Sequence, residues 1–230
     1  MILGIGTSGR HETRDESGRL LKGANEHMLK YVLEKTGEEY EYVSLAGKKI
    51  SGCQGCLACA GNNICVIDDD WGEIRDKMFE ADAVVIAAPN YYGAINAHGH
   101  AFLERTFSLR HREAFPLAGK LNAIVVSGRT EDNPAEGFIR QMFRGNYMAE
   151  PVGVLHVSGV SQCYTCGYGE KCAAGGVVAR HGILDEIQPW MIPQMDPETY
   201  QKADILAKRL GSVVRNNKKV CACVLEEKCE

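Results

Sequence analysis

Cys53, Cys56, Cys59 and Cys65 lie in the stretch SGCQGCLACAGNNICVIDDD, residues 51–70, at the spacing C-x2-C-x2-C-x5-C. Thiols this close serve as disulfide partners, zinc ligands or ligands of an iron–sulfur cluster. The chain has ten cysteines, and it opens on Gly4 and Gly6 after three apolar residues, without the look of a secretory leader. Cytosolic thiols are kept reduced, so structural disulfides are not expected. Zinc commonly takes two C-x2-C knuckles separated by a longer spacer. Here three cysteines follow at successive x2 intervals. One short loop can then curl round a corner of a cube, with the fourth thiol six positions on. The spacing favours a [4Fe–4S] cluster; zinc and metal-free reduced thiols stay open as alternatives.

The run is similar to the bacterial ferredoxin pattern C-x2-C-x2-C-x3-C-P, although no proline follows Cys65. A second group, Cys163, Cys166 and Cys172, starts like a half-copy with no near fourth ligand, and reads as a structural loop. Cys221, Cys223 and Cys229 sit in the tail. Asp68, Asp69 and Asp70 read better as the cap of a following helix than as metal carboxylates. His98 and His100 open a helix, where a capping or solvent-facing role is favoured over proton shuttling.

Two further loops carry chemistry. In GTSGRHETRDES, residues 6–17, glycines allow a tight turn while Thr7, Ser8, Thr13 and Ser17 offer hydroxyls and Arg10 a fork of donors. With the amides of a helix start, these make an anion pocket. Neither G-x-G-x-x-G nor G-K-[ST] is present, so a monophosphate fits better than a dinucleotide or a triphosphate. In APNYYGAI, Pro89 and Gly93 set a rigid turn, Asn90 can bind carbonyls or hydroxyls, and Tyr91 and Tyr92 offer flat faces for an aromatic ring. Ser127, Gly128 and Arg129 stand at the same edge. A monophosphate pocket beside an aromatic slot describes FMN.

The elements that must position these loops alternate. Apolar runs MILGI, EYEYVSL, DAVVIAAP, LNAIVVSG and PVGVLHVSG read as five strands. Helices are expected from Ser17, with Leu20, Leu21, Ala24, Met28, Tyr31 and Val32 on one face and Gly37 as the stop. Others are expected through WGEIRDKMFEA, HAFLERTFSL and AEGFIRQMF, and from about Pro197 to Val214. Strict alternation implies an α/β, flavodoxin-like, doubly wound five-stranded parallel sheet in the order 2-1-3-4-5, with its ligand at the switch point. We expect one FMN-binding domain over residues 1–215, a cluster loop at about 51–67 and a cysteine-containing tail over 216–230. The net charge of −4, with 26 basic residues scattered along the chain, argues against nucleic acid. No apolar run reaches the roughly 20 residues of a membrane span. A soluble, cytoplasmic protein is expected.

Together, ILGIGTSGR, APNYYGAI and CQGCLACAGNNICVIDDDW resemble the NADPH-dependent FMN reductase superfamily of flavodoxin-like proteins and, within it, the iron–sulfur flavoproteins, an anaerobe-associated branch. The resemblance implies that Ser8, Arg10 and Ser17 hold the FMN phosphate, with Thr13 an alternative for one hydroxyl. It implies that Pro89, Asn90, Tyr91, Tyr92 and Gly93 contact ribityl and isoalloxazine, with Ser127 and Gly128 beside the ring. Gly6, Thr7 and Gly9 depart from the usual I-S-G-S-P-R, and RHETRDES is longer and more charged than the family loop. The expected activity passes single electrons from a ferredoxin-like donor through the cluster to FMN and on to dioxygen, peroxide or a quinone. No side chain stands out as a catalytic acid or base. The family further implies a homodimer or homotetramer, in which one subunit's cluster approaches another's FMN. Two alternatives are an NAD(P)H-dependent FMN or quinone reductase with structural or zinc-bound cysteines, and a flavodoxin-like carrier without its own substrate.

Overall fold

The structure, a computed structural model, describes residues 1–128, 133–158 and 162–226, with backbone alone from 218 on. Five parallel strands form its centre: β1 (Ile2–Gly6), β4 (Tyr40–Ser44), β5 (Ala83–Tyr91), β7 (Leu121–Gly128) and β8 (Val154–Ser158). Their order is β4-β1-β5-β7-β8. Counting only these five in chain order, this is the expected 2-1-3-4-5. Among the described residues there are three minor strands besides: β2 (Thr13–Arg14) pairs antiparallel with β3 (Leu20–Lys22), and β6 (Ala94–Ile95) folds back on β5.

Helices cover both faces, which is why the central strands are apolar without alternation. Successive residues still point to opposite sides. Leu3, Ile5, Val84, Ile86, Ile124 and Val126 join one buried cluster with Trp71, Phe102 and Phe143. These three belong to α2 (Trp71–Glu80), α3 (Ala97–Glu104) and α4 (Pro134–Gly145). Ile2, Val85, Ala87 and Val125 join the other, with Met28, Leu33, Leu206 and Leu210. Those four lie on α1 (Ala24–Lys35) and α6 (Pro197–Glu226). The Trp71 indole N–H donates to the Phe102 carbonyl at 3.0 Å and locks α2 onto α3.

Four local expectations are corrected. The helix expected from Ser17 begins only at Ala24, because residues 13–22 form the β2–β3 hairpin. Asp15 Oδ1 accepts from the Ser17 amide and hydroxyl and from the Arg19 amide, closing a turn completed by Gly18 at φ 81°. Gly23, at φ 85°, stops any helix from running back through it. Leu20 is buried all the same, so its apolar signal belonged to a strand facing the core and not to a helix. Second, NYYGAI is the tip of the β5–β6 hairpin, with Tyr92 and Gly93 both at positive φ. That is the geometry a two-residue hairpin turn needs. Third, α5 (Gly176–His181) has no counterpart in the expected elements. Fourth, α6 continues to Glu226, well beyond Val214.

Candidate functional site

The loops leaving β1, β5 and β7 meet at one edge of the sheet. Parallel register sets Gly6 beside Ala87 and Pro89 beside Ser127, bringing the carboxyl ends of these strands level. Reversal of strand order between β1 and β5 makes this the switch point, where doubly wound sheets bind ligands. Two loops are tied reciprocally: Thr7 Oγ1 donates to Asn96 Oδ1, and Asn96 Nδ2 donates to the Thr7 carbonyl, each at 2.7 Å. Asn96 precedes α3 like a capping residue, yet its side chain makes no cap bond and serves this tether.

Of the expected phosphate ligands, Ser8 and Arg10 lie in the loop directly after β1, where Ser8 Oγ accepts the Arg10 amide at 3.1 Å. Thr13 is on β2, and its Oγ1 is buried without a hydrogen-bond partner. Ser17 is at the exposed hairpin tip with its hydroxyl on Asp15, and not at the α1 start. The first turn of α1 instead presents Asn25 and Glu26. Asn25 Nδ2 donates to Ser127 Oγ at 2.7 Å, while its buried Oδ1 has no partner. Burial pushes the Glu26 carboxyl up, but Lys30, the Glu12 amide at 2.7 Å and His11 outweigh that and hold it below its ordinary value. Asn25 and Glu26 carried no sequence signal, since the helix start was expected seven residues too early.

Pro89 is buried and Asn90 half-buried, whereas Tyr91 and Tyr92 are exposed at the hairpin tip. Gly128 lies against Asn133 and Asn90; a Cβ there would stand 2.9 Å from Asn133 Nδ2. Arg129 lies outside the described residues. Thr13 Oγ1 and Asn25 Oδ1, buried without partners, and the exposed Tyr91 and Tyr92 suit a phosphorylated, ring-bearing ligand.

The cysteine loop occupies the other end of α3. Cys53, Cys56, Cys59 and Cys65 all line one cavity, together with Val66, Arg105 and Phe107. Gly55 and Leu57, at φ 64° and 56°, bend the chain between successive cysteines. Cys53 and Cys56 are exposed and Cys59 is buried. Burial pushes the Cys59 thiol up, and the nearby sulfurs of Cys65, Cys53 and Cys56 push it further. His111 Nε2 stands 3.2 Å from Cys59 Sγ. The enclosed part of this cavity is about 20 Å³.

Arg105 secures this loop. It is 1% exposed and reaches the Ser51 carbonyl at 3.0 Å, the Ile67 carbonyl at 3.3 Å and Asp69 Oδ2 at 2.8 Å. Asp69 also accepts the amides of Ser51 and Trp71. Burial raises the Asp69 carboxyl, but Arg105 and these amides prevail and keep it below its ordinary value. The expected helix cap is only partly realised: Asp70 holds the N-cap position of α2 without a side-chain cap bond, while Asp69 takes the first helical amide, that of Trp71. Glu104 accepts the Cys53 amide at 2.9 Å. No local pattern marks Arg105 or Glu104, whose partners lie 36 to 54 positions away.

Cys163, the first of the second group, packs with Tyr164, Val177 and Ile192, apart from the cluster that receives Cys65. Cys163 Sγ accepts the Gly176 amide at 3.3 Å. Cys221 and Cys223 side chains and Cys229 fall outside the described residues. His100 stacks on Phe138, ring centroids 4.4 Å apart. Both line a cleft of about 480 Å³ that reaches Cys53.

A doubly wound sheet with its loops gathered at the switch point defines a flavodoxin-like protein. The NADPH-dependent FMN reductase family model matches residues 17–160. An iron–sulfur flavoprotein from Methanosarcina thermophila is 35% identical over 130 residues, 55% of this chain and 68% of that protein. Another, from Archaeoglobus fulgidus, is 31% identical over 162 residues, 70% and 77% of the two chains. The chain belongs to the iron–sulfur flavoprotein branch of the FMN reductase family and is a flavin-dependent oxidoreductase.

Solved structures agree on the fold. RosB with its bound intermediate 8-demethyl-8-formylriboflavin-5'-phosphate has a TM-score of 0.61 at 16% identity, covering 100% of this chain and 87% of its own. An azoreductase from Bacillus anthracis str. Sterne has a TM-score of 0.52 at 14% identity, with coverage of 90% and 98%. Among the described residues no helix is long and apolar enough to cross a membrane.

Proposed function

We propose that this chain holds FMN at the switch-point edge and a [4Fe–4S] cluster on Cys53, Cys56, Cys59 and Cys65, as a cytoplasmic redox protein. It accepts electrons from a ferredoxin-like donor and delivers them to a small oxidant such as dioxygen, peroxide or a quinone. The carrying observation is that all four cysteines line one cavity. An all-thiol donor set at the spacing C-x2-C-x2-C-x5-C supports a cluster over zinc, which more commonly takes two C-x2-C knuckles separated by a longer spacer.

The cluster would supply single-electron transfer and FMN two-electron storage; the protein supplies position, exclusion of water and potential. Ser8, Arg10, Thr13 and Ser17, with Asn25, offer donors or acceptors to the phosphate and ribityl chain, Ser17 from the hairpin tip where its hydroxyl rests on Asp15. Pro89, Asn90, Tyr91, Tyr92, Gly93, Ser127 and Gly128 border the ring. Asn96 at the flavin edge and Glu104 at the cysteine loop lie at opposite ends of α3. Its 8 residues span about 12 Å. The family resemblance supports a homodimer or homotetramer in which one subunit's cluster serves its neighbour's flavin, and the cleft beside Cys53 leaves room for that approach.

Anaerobic purification followed by metal and flavin analysis tests the reading. It predicts about four irons per chain together with bound FMN. Iron absent from an FMN-loaded anaerobic preparation would overturn it. The family match supports a second reading, direct reduction by NAD(P)H. Rapid bleaching of the flavin by NADPH without a ferredoxin would select it.

A further inference from the structure

Arg105 does more than anchor the loop. Its two Nη atoms are engaged by Ser51, Ile67 and Asp69, but its Nε is buried with no hydrogen-bond partner. A buried guanidinium N–H without an acceptor is costly, and such groups call for a ligand. The same side chain lines the cavity walled by the four cysteines. Trp71 lies under the guanidinium, 5.1 Å from ring centroid to Cζ, and closes that side. Asp69 neutralises the charge at the Nη end alone.

We propose that Arg105 Nε–H is the donor reserved for the sulfur of a cluster bound in this cavity, and that Arg105 with Asp69 sets the potential of that cluster. This rests on the cluster reading above. Hydrogen bonds and positive charge near cluster sulfurs favour the more negative, reduced state and so raise the potential. The Asp69 carboxylate partly cancels the Arg105 charge and lowers it. Arg105 and Asp69 thus act in opposite directions from one ion pair. The oxidation chemistry is unchanged; only its driving force moves.

The test uses the full chain, purified anaerobically with FMN and iron bound, and electron paramagnetic resonance of the reduced cluster during redox titration. Protein labelled with ¹⁵N-arginine should show a nitrogen hyperfine coupling to the cluster, and Arg105→Lys should abolish it and lower the midpoint potential. Asp69→Asn, which leaves Arg105 in place, should raise the potential. An uncoupled cluster in the labelled wild type overturns the inference, and so does an unshifted or lowered potential in Asp69→Asn. Either result, obtained on protein with its iron intact, leaves the cluster reading standing. Wild-type protein that binds FMN without iron instead overturns the cluster reading itself.

Discussion

Thr7 and Asn96 exchange two hydrogen bonds of 2.7 Å across 89 positions of sequence, and both side chains are buried. This pair joins the loop after β1 to the loop before α3, the two walls of the flavin edge. Asn96→Ala leaves the Thr7 carbonyl and hydroxyl short of partners. It should cost about 1 to 3 kcal/mol in chemical denaturation and weaken FMN binding in a fluorescence titration. A variant as stable and as tightly flavin-bound as the wild type would deny the tether its role.

Tyr92 sits at φ 53° with its ring wholly in solvent. Asn tolerates this conformation better than a large aromatic residue. Tyr92→Asn should therefore keep or slightly raise stability, by up to about 1 kcal/mol, while FMN affinity falls several-fold if the ring lies on the flavin. Unchanged affinity would remove Tyr92 from the site.

Asp69 gives a pH signature. Its folded-state carboxyl is held below the ordinary carboxylate value, so its stabilising effect is complete above the unfolded pKa of about 3.9. That effect is lost as pH falls through the lower folded value. Asp69→Asn should cost roughly 3 kcal/mol near neutrality. The gap between wild type and variant in urea unfolding should narrow below about pH 4, and a gap constant down to strong acid would contradict the assignment.

The two cysteine groups should separate cleanly. Replacing Cys163, Cys166 and Cys172 together by Ser should leave iron content unchanged, since Cys163 packs in a different apolar cluster from Cys65. Cys53→Ser should lower iron while FMN stays bound. Equal loss of iron from both variants would show that the second group takes part.

Much of the fold was legible because the central strands are continuous apolar runs that only a sheet covered on both faces can bury. The stretch from Ser17 to Gly23 misled because Leu20 and Leu21 extend the helical spacing of Ala24 and Met28, whereas on β3 they turn to different apolar clusters. Asp15 and Gly18 decided the matter by closing a turn. NYYGAI was readable as a rigid turn, but its hairpin pairing required Ala94 and Ile95 to find Tyr91 and Asn90.

Local spacing determined the class of this protein: strand and helix periods set the doubly wound sheet, and C-x2-C-x2-C-x5-C set a clustered thiol loop. Those signals are local because periodicity and ligand spacing are properties of neighbouring residues. What only tertiary structure decided is which distant groups complete each site: Asn96 for Thr7, Asn25 for Ser127, Asp69 and Arg105 for the two ends of the cysteine loop. Such partners are chosen by the packing of whole helices, and a buried arginine 36 positions from its carboxylate leaves no local trace.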